Sequence, residues 1–261
     1  VYKVFIADKI PDSAIDLLRS NNNYEIEMKY GLSEQELINS ISDYHAIIVR
    51  SATRITSEVI NAAKNLKVIG RAGSGLDNID LDFAKKCGIA VFNTPGSNSQ
   101  AVAELTIGLM FCMVRNLYHA FNSLKSKHWN KSAFLGNEIN GKTLGLIGFG
   151  QIGQKVGKMA AALGMKIFVY KKQPIQRSPG YEYEMTDFDK LVTKSDFISL
   201  HLPKTEHTAQ FFGLPEFRKM KSSAFLINCA RGGIVKEDDL LIALDNEIIA
   251  GAALDVFEEE P

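Results

Sequence analysis

Short runs of apolar residues alternate with stretches of helical period along almost the whole chain. In the first third, the runs at 2–8, 24–30, 46–51, 66–73 and 90–95 are strand candidates. Between them, Ser33-Glu34-Gln35-Glu36-Leu37-Ile38 carries a helix-start signal. Ser33 can cap the free backbone N–H groups while Glu36 reaches back to it. This β-α-β-α order predicts a parallel sheet covered by helices.

From about Asn98 to Lys125 the pattern is helical for longer than anywhere else, and it is apolar on more than one face through Ala101, Leu105, Leu109, Met110 and Met113. Such a helix needs burial, either centrally or against a partner subunit. The single tryptophan, Trp129, falls in the loop that follows. A second alternation then predicts strands at 143–148, 166–170, 196–202, 224–230 and 248–257, and helices at 151–163, 187–194, 215–220 and 237–245. The fold class expected is α/β, with two doubly wound parallel-sheet domains, residues 1–95 and 96–261. The border is placed near Pro95-Gly96, where the first sheet stops.

Charge and composition narrow the function classes. Lys plus Arg number 30 and Asp plus Glu number 30, so there is no general field for nucleic acid or an anionic membrane, and any phosphate site must be local. The densest apolar run, Leu105 to Val114, falls well short of the roughly 20 residues a bilayer span needs. The start, Val1-Tyr2-Lys3-Val4-Phe5-Ile6, reads as folded structure and not as a signal peptide. Cys87, Cys112 and Cys229 are scattered, with no C-x-x-C, so neither a disulfide framework nor a metal site is expected and a reducing cytoplasm is the default.

The first chemical motif is Gly148-Phe149-Gly150-Gln151-Ile152-Gly153, after the apolar run Leu144-Gly145-Leu146-Ile147 and before a helix with Val156, Met159, Ala160 and Leu163 on one face. In a strand–turn–helix context this is a dinucleotide-binding fingerprint. Gly148 permits the tight turn, Gly150 lets backbone approach a pyrophosphate, and Gly153 lets the helix pack on the strand. The helix start adds N–H donors and partial positive charge. An acid that binds ribose is expected about 20 residues on. Lys171 stands there instead, 23 residues after Gly148, followed by Lys172 with Arg177 nearby. Either these cations favour the 2′-phosphate of NADP, or they are solvated loop lysines and NAD binds through other contacts.

Further motifs follow in order: Arg50-Ser51-Ala52-Thr53, Gly70-Arg71-Ala72-Gly73-Ser74-Gly75-Leu76-Asp77-Asn78-Ile79-Asp80, Asn93-Thr94-Pro95, Asn228-Cys229-Ala230-Arg231-Gly232-Gly233-Ile234-Val235 and Ala253-Leu254-Asp255-Val256-Phe257. With the glycine turn they resemble the D-isomer-specific 2-hydroxyacid dehydrogenases over nearly the whole chain. The resemblance implies a flavodoxin-like substrate domain, a Rossmann nucleotide domain and an active site in the cleft between them. It implies a homodimer through the Asn98–Lys125 helix region and the Trp129 loop. It also implies hydride transfer between NAD, or NADP, and C2 of a small 2-hydroxy or 2-oxo acid. That acid is 3-phospho-D-glycerate first, with glyoxylate or hydroxypyruvate as the alternative.

The resemblance also assigns roles. Arg231 matches the arginine that grips the substrate carboxylate, for which a planar guanidinium fork is suited. Glu260 matches the acid that holds the catalytic histidine, although Glu258-Glu259-Glu260 is equally the composition of a solvated face. Asp255 matches the residue that receives the nicotinamide carboxamide. Gln151 and Ile152 match the pair under the pyrophosphate, where many relatives carry arginine in place of Gln151. Leu202, Pro203, Cys229 and Ala230 match backbone lining the cofactor, with Cys229 read as a packing residue. Ala72 and Gly73 match the loop that binds the substrate carboxylate, with Ser74 on its cofactor side. Arg50 and Ser51 match positions near a substrate phosphate. Lys131 resembles a basic residue reaching the neighbouring subunit's site, or is a plain surface cation.

The family's general base is a histidine in a Pro-His-x-Gly type segment after the glutamate. None of His45, His119, His128, His201 or His207 lies in such a segment, and His201 is expected to line the cofactor. The natural protein is therefore expected to continue beyond Pro261. The rival from another class is a catalytically silent, nicotinamide-sensing scaffold.

Overall fold

The computed structural model describes residues 1–172 and 180–260. Arg177 and Pro261 lie outside the described residues. The chain divides into two compact units, Val1–Asn98 and Ser99–Pro261.

In the first unit the elements run β1 (Tyr2–Ile6), α1 (Asp12–Arg19), β2 (Tyr24–Met28), α2 (Glu34–Ser40), β3 (Ala46–Val49), α3 (Ser57–Ala62), β4 (Val68–Arg71), α4 (Leu81–Lys86) and β5 (Ala90–Asn93). The strands form one parallel sheet in the order β2-β1-β3-β4-β5. This is the flavodoxin-like doubly wound order. Phe5, Ile47, Val49 and Ile69 bury one face with Leu37, Ile41, Val59 and Ile60, while Ile6, Ile10 and Ile15 pack together in a separate cluster. The capping box that starts α2 forms as the sequence predicts. Glu36 N–H donates to Ser33 Oγ at 3.3 Å, and Ser33 N–H donates to Glu36 Oε2 at 2.8 Å. On the edge strand β2, Glu25 and Glu27 are exposed, and charges there discourage pairing with another chain.

The second unit opens on α5 (Ser99–Val114) and α6 (Leu117–Lys125). It continues with β6 (Thr143–Ile147), α7 (Gln151–Ala162), β7 (Lys166–Tyr170), β8 (Glu184–Met185), α8 (Phe188–Lys194), β9 (Phe197–Leu200), α9 (Leu214–Phe217), β10 (Phe225–Asn228), α10 (Glu237–Asp245) and β11 (Gly251–Leu254). The six-stranded parallel sheet has the order β11-β10-β9-β6-β7-β8. Read from β8, that is the dinucleotide-binding order, with the topological switch between β6 and β9. The short β8 has no counterpart among the predicted strands, and of the predicted strand 248–257 the residues Gly251–Leu254 form β11, in register with β10.

The single helix expected from Asn98 to Lys125 is two helices, bent by 64°. Asn116 sits at φ 51 in the left-handed region, which a short polar side chain tolerates, and its Nδ2 donates to the Leu135 carbonyl at 3.3 Å. The break has a packing reason. α5 buries Ala103, Thr106, Ile107, Met110 and Val114, whereas α6 buries none of its residues. Among the described residues no single helix is long and apolar enough to cross a membrane.

Candidate active site

The glycine turn sits at the switch point. β6 ends at Ile147, Gly148 turns the chain at φ +93, and α7 starts at Gln151. A side chain at Gly148 would be doubly excluded, by that φ and by collision with the His201 carbonyl oxygen. At Gly153 a Cβ would stand 2.6 Å from the Gly148 carbonyl oxygen, so its absence sets the approach of α7 to the turn. Gly150 differs: a Cβ there would meet nothing within 4 Å. The fold does not need that position bare. The first turn of α7 carries no side-chain cap and no acid, so its N–H donors and partial positive charge are left toward the same space. Gln151 is held by Ser99 Oγ, which donates to its Oε1 at 3.4 Å.

The neighbouring strand ends complete this edge. Lys171 follows β7 and is half-buried; Lys172 is exposed. After β9 come His201, Leu202 and Pro203. His201 is partly buried. Nε2 pairs with the buried Ser199 hydroxyl at 3.0 Å, and burial pushes the imidazole pKa down to about 4. After β10 come Cys229, Ala230 and Arg231. Cys229 is buried, and burial first, then the Asp255 carboxylate, raise its thiol pKa against the Thr106 hydrogen bond. This is the environment of an inert packing thiol. Arg231 is half-buried, and its Nη1 donates to the Ala230 carbonyl at 2.7 Å.

Asp255 follows β11, its N–H donating to the Asn228 carbonyl at 3.0 Å. The chain beyond it packs back on the Arg231 loop, since a side chain at Gly232 would collide with the Phe257 carbonyl. Glu258 N–H donates to Glu237 Oε1 at 2.6 Å, which ties this segment to α10. Glu260 is exposed, and its Oε1 accepts from Phe257 N–H at 3.4 Å. Lys131 opens a short 3₁₀ turn, Lys131–Phe134, and is exposed, away from this edge in the chain after α6.

The first unit has its own edge at the ends of β1, β3 and β4. Ala72 N–H donates to the Val49 carbonyl at 2.8 Å, so the Arg50-Ser51 and Ala72-Gly73-Ser74 loops leave adjacent strands side by side. Arg50 and Ser51 are exposed. A side chain at Gly73 would collide with the Arg71 guanidinium. Ser74 Oγ accepts from Gly96 N–H at 3.1 Å and donates to Asn98 Oδ1 at 3.0 Å, while Asn93 Nδ2 donates to the Ser74 carbonyl at 2.7 Å.

Two residues that shape this edge were given no role by the sequence reading, although Asn78 stands inside one of its motifs. Asp8 is buried at the end of β1. It accepts from Arg50 N–H at 2.5 Å, Thr53 N–H at 3.2 Å and Thr53 Oγ1 at 2.9 Å. Asn78 Nδ2 donates to the Arg50 and Thr53 carbonyls at 2.7 and 2.6 Å. Both act on residues distant in sequence; the one local signal is a lone acid ending an apolar strand.

Comparison with known proteins places this architecture. Residues 107–261 match the family profile described as D-isomer specific 2-hydroxyacid dehydrogenase, NAD binding domain. The chain belongs to that family. It is 44% identical to a D-3-phosphoglycerate dehydrogenase of Archaeoglobus fulgidus over 99% of this chain and 49% of that protein. It is 45% identical to a hydroxypyruvate reductase of Thermotoga maritima over 100% of this chain and 84% of that protein. The crystal structure of D-lactate dehydrogenase from Aquifex aeolicus, complexed with NAD and lactic acid, superposes with a TM-score of 0.88 at 30% identity, over 98% of this chain and 77% of that one. The chain spans about half the length of the Archaeoglobus relative.

As a 2-hydroxyacid dehydrogenase NAD-binding domain, the second unit fits its cofactor on its own geometry. The room at Gly150, the uncapped and acid-free start of α7 and the uncharged Gln151 suit a pyrophosphate held by amides. Lys171 and Lys172 close β7 where a ribose-binding acid is expected.

Proposed function

We propose that the protein is a D-3-phosphoglycerate dehydrogenase. It moves hydride between C2 of 3-phospho-D-glycerate and a nicotinamide dinucleotide, the first step of phosphorylated serine synthesis, in the cytoplasm. The observation that carries this reading is the gathering, on one sheet edge, of the glycine turn after β6, Arg231 after β10 and Asp255 after β11. A docking scaffold has no use for that combination. The relatives named D-3-phosphoglycerate dehydrogenase support the substrate.

In this reading the bound nicotinamide supplies the hydride acceptor and donor. Gly150 and the amides of Gln151 and Ile152 receive the pyrophosphate, with Gly148 and Gly153 shaping the turn. Leu202, Pro203, Cys229 and Ala230 line the dinucleotide, and Asp255 receives the carboxamide. Arg231 pairs with the substrate carboxylate and holds C2 in place. In the first unit the N–H groups of Ala72 and Gly73 are already given to the Val49 and Arg71 carbonyls, so they do not offer the carboxylate donors that the resemblance implies, and Arg50 and Ser51 are the residues proposed for the phosphate. Glu260 steadies the base that accepts the hydroxyl proton. His201 is not that base: with its pKa pushed down to about 4 it is a weak proton acceptor, held by Ser199.

A second reading, an NADPH-linked glyoxylate or hydroxypyruvate reductase, is favoured by Lys171 and by the Thermotoga relative. Both are tested by following nicotinamide absorbance with the full-length protein. Turnover of 3-phosphoglycerate with NAD supports the first. Faster turnover of hydroxypyruvate or glyoxylate with NADPH supports the second. Tight nucleotide binding without turnover of any acid supports a silent scaffold.

We also infer a homodimer through α5, α6 and the following loop. Phe121 is 65% exposed and Trp129 80% exposed, with Leu117, Tyr118, Leu124 and Leu135 exposed beside them in sequence, and an apolar surface of that kind calls for a partner. Lys131 lies on the same loop and is the residue proposed to reach the neighbouring subunit's site. Sedimentation of Phe121→Glu should give monomers where the wild type gives dimers.

A further inference from the structure

Asn228 ends β10 and is only 2% exposed. Both ends of its side-chain amide are used on one turn. Oδ1 accepts from Ala230 N–H at 3.0 Å, and Nδ2 donates to the Arg231 carbonyl at 3.0 Å. Its main-chain carbonyl separately accepts from Asp255 N–H at 3.0 Å. One buried residue thus holds the main chain of both neighbours, through different atoms.

We propose that Asn228 is the positioning residue of the acid-substrate end of the site: its side chain sets the backbone from which Arg231 projects. The proposal rests on the reading of Arg231 and Asp255 given above. The chemistry requires an amide. The turn presents a donor at Ala230 and an acceptor at Arg231, and only a side chain with both an acceptor and a donor satisfies the two. Aspartate would set a carboxylate oxygen against the Arg231 carbonyl. Serine is too short to span both groups, and alanine leaves two buried polar groups unpaired. Gly232 closes the other side, with the Phe257 backbone where a side chain would be. Loosening at Asn228 therefore moves the arginine's base within a fixed frame. The Asp255 link runs through the backbone and survives any substitution at 228.

This separation gives a signature that general destabilisation lacks. In full-length Asn228→Ala, the Ala230 amide should exchange with deuterium at least about tenfold faster, while the Asp255 amide keeps its protection. Calorimetry should show oxamate affinity on the NADH complex lowered by about tenfold or more, and by at least about threefold more than NADH affinity, which loses only what Ala230 contributes. kcat/KM for the acid should fall with it. Introduced into Arg231→Lys, the same substitution should add less than about twofold, since the two act as a unit. Asn228→Asp keeps the acceptor for Ala230 N–H and opposes only the Arg231 carbonyl; it is the second variant where alanine folds poorly, read by the oxamate and NADH affinities and not by Ala230 exchange. Unchanged Ala230 protection, or equal losses of NADH and oxamate affinity, would overturn the proposal. A wild type that binds NADH yet turns over no 2-hydroxy acid would instead count against the proposed function, and the exchange measurement would still decide Asn228.

Discussion

The two sheet edges solve similar problems by different means. In the second unit the turn after β6 is shaped by what is missing: Gly148 and Gly153 remove side chains that would strike neighbouring backbone, and Gly150 leaves free space before an uncapped helix. In the first unit the loops after β3 and β4 are stapled by side chains. Asp8 and Asn78 hold the Arg50–Thr53 segment, and Ser74 and Asn93 hold the next. A backbone cradle suits a ligand recognised by its pyrophosphate alone. A stapled loop suits holding chosen side chains in place, the role proposed for Arg50 and Ser51.

The sharpest way to break this contrast is to add one methyl group at two glycines. Gly148→Ala meets both a left-handed φ and the His201 backbone, so denaturant unfolding should show a loss of about 3 kcal/mol or more. Gly150→Ala meets no atom and gives up only the helix-start preference for glycine over alanine, so stability should stay within about 1 kcal/mol while dinucleotide affinity falls by roughly tenfold to a hundredfold. Unchanged affinity in Gly150→Ala would mean that the open space is not where the pyrophosphate lies.

The backbone-built edge also carries a buried titration. His201 has a folded pKa of about 4 against 6.5 for the free side chain. The unfolded chain binds the proton first, so its contribution is complete above pH 6.5 and is lost as pH falls toward 4, by at most about 3 kcal/mol. Unfolding free energies across that window should slope in wild type and flatten in His201→Gln. Parallel slopes would place the acid sensitivity elsewhere. In the stapled edge, Asp8→Ala should cost about 2 kcal/mol and raise KM for the acid while leaving nucleotide affinity unchanged. A loss of nucleotide affinity of equal size would erase the division between the edges.

The same contrast explains what could be read from sequence. The glycine turn is contiguous, so its spacing, its strand and its helix were all visible together. Alternating apolar runs likewise gave the parallel sheets, because buried strands are continuous in sequence. The staples are not contiguous: Asp8 and Thr53 lie 45 residues apart, and nothing local marks them as partners. The bend at Asn116 was hidden because α5 and α6 are both apolar, and composition does not say which face finds a core. The roles of Arg231, Asp255 and Glu260 came from family resemblance; their residue types alone would also fit ion pairs and a solvated acidic run.

The smallest expected effect lies at the far end of the cradle. Lys171 is half-buried at the end of β7, so a charge there facing a 2′-phosphate, as the NADPH reading proposes, would act through partly solvated space and be worth about 1 kcal/mol. Lys171→Asp should therefore lower the NADP-to-NAD affinity ratio by at least about fivefold, and the change should shrink as salt is raised. A carboxylate there also restores a partner for the ribose hydroxyls, so NAD affinity should rise while NADP affinity falls. Opposite movements of the two affinities identify selection at the ribose. A ratio that does not move makes Lys171 a solvated loop lysine, and leaves the backbone cradle indifferent to which nucleotide it holds.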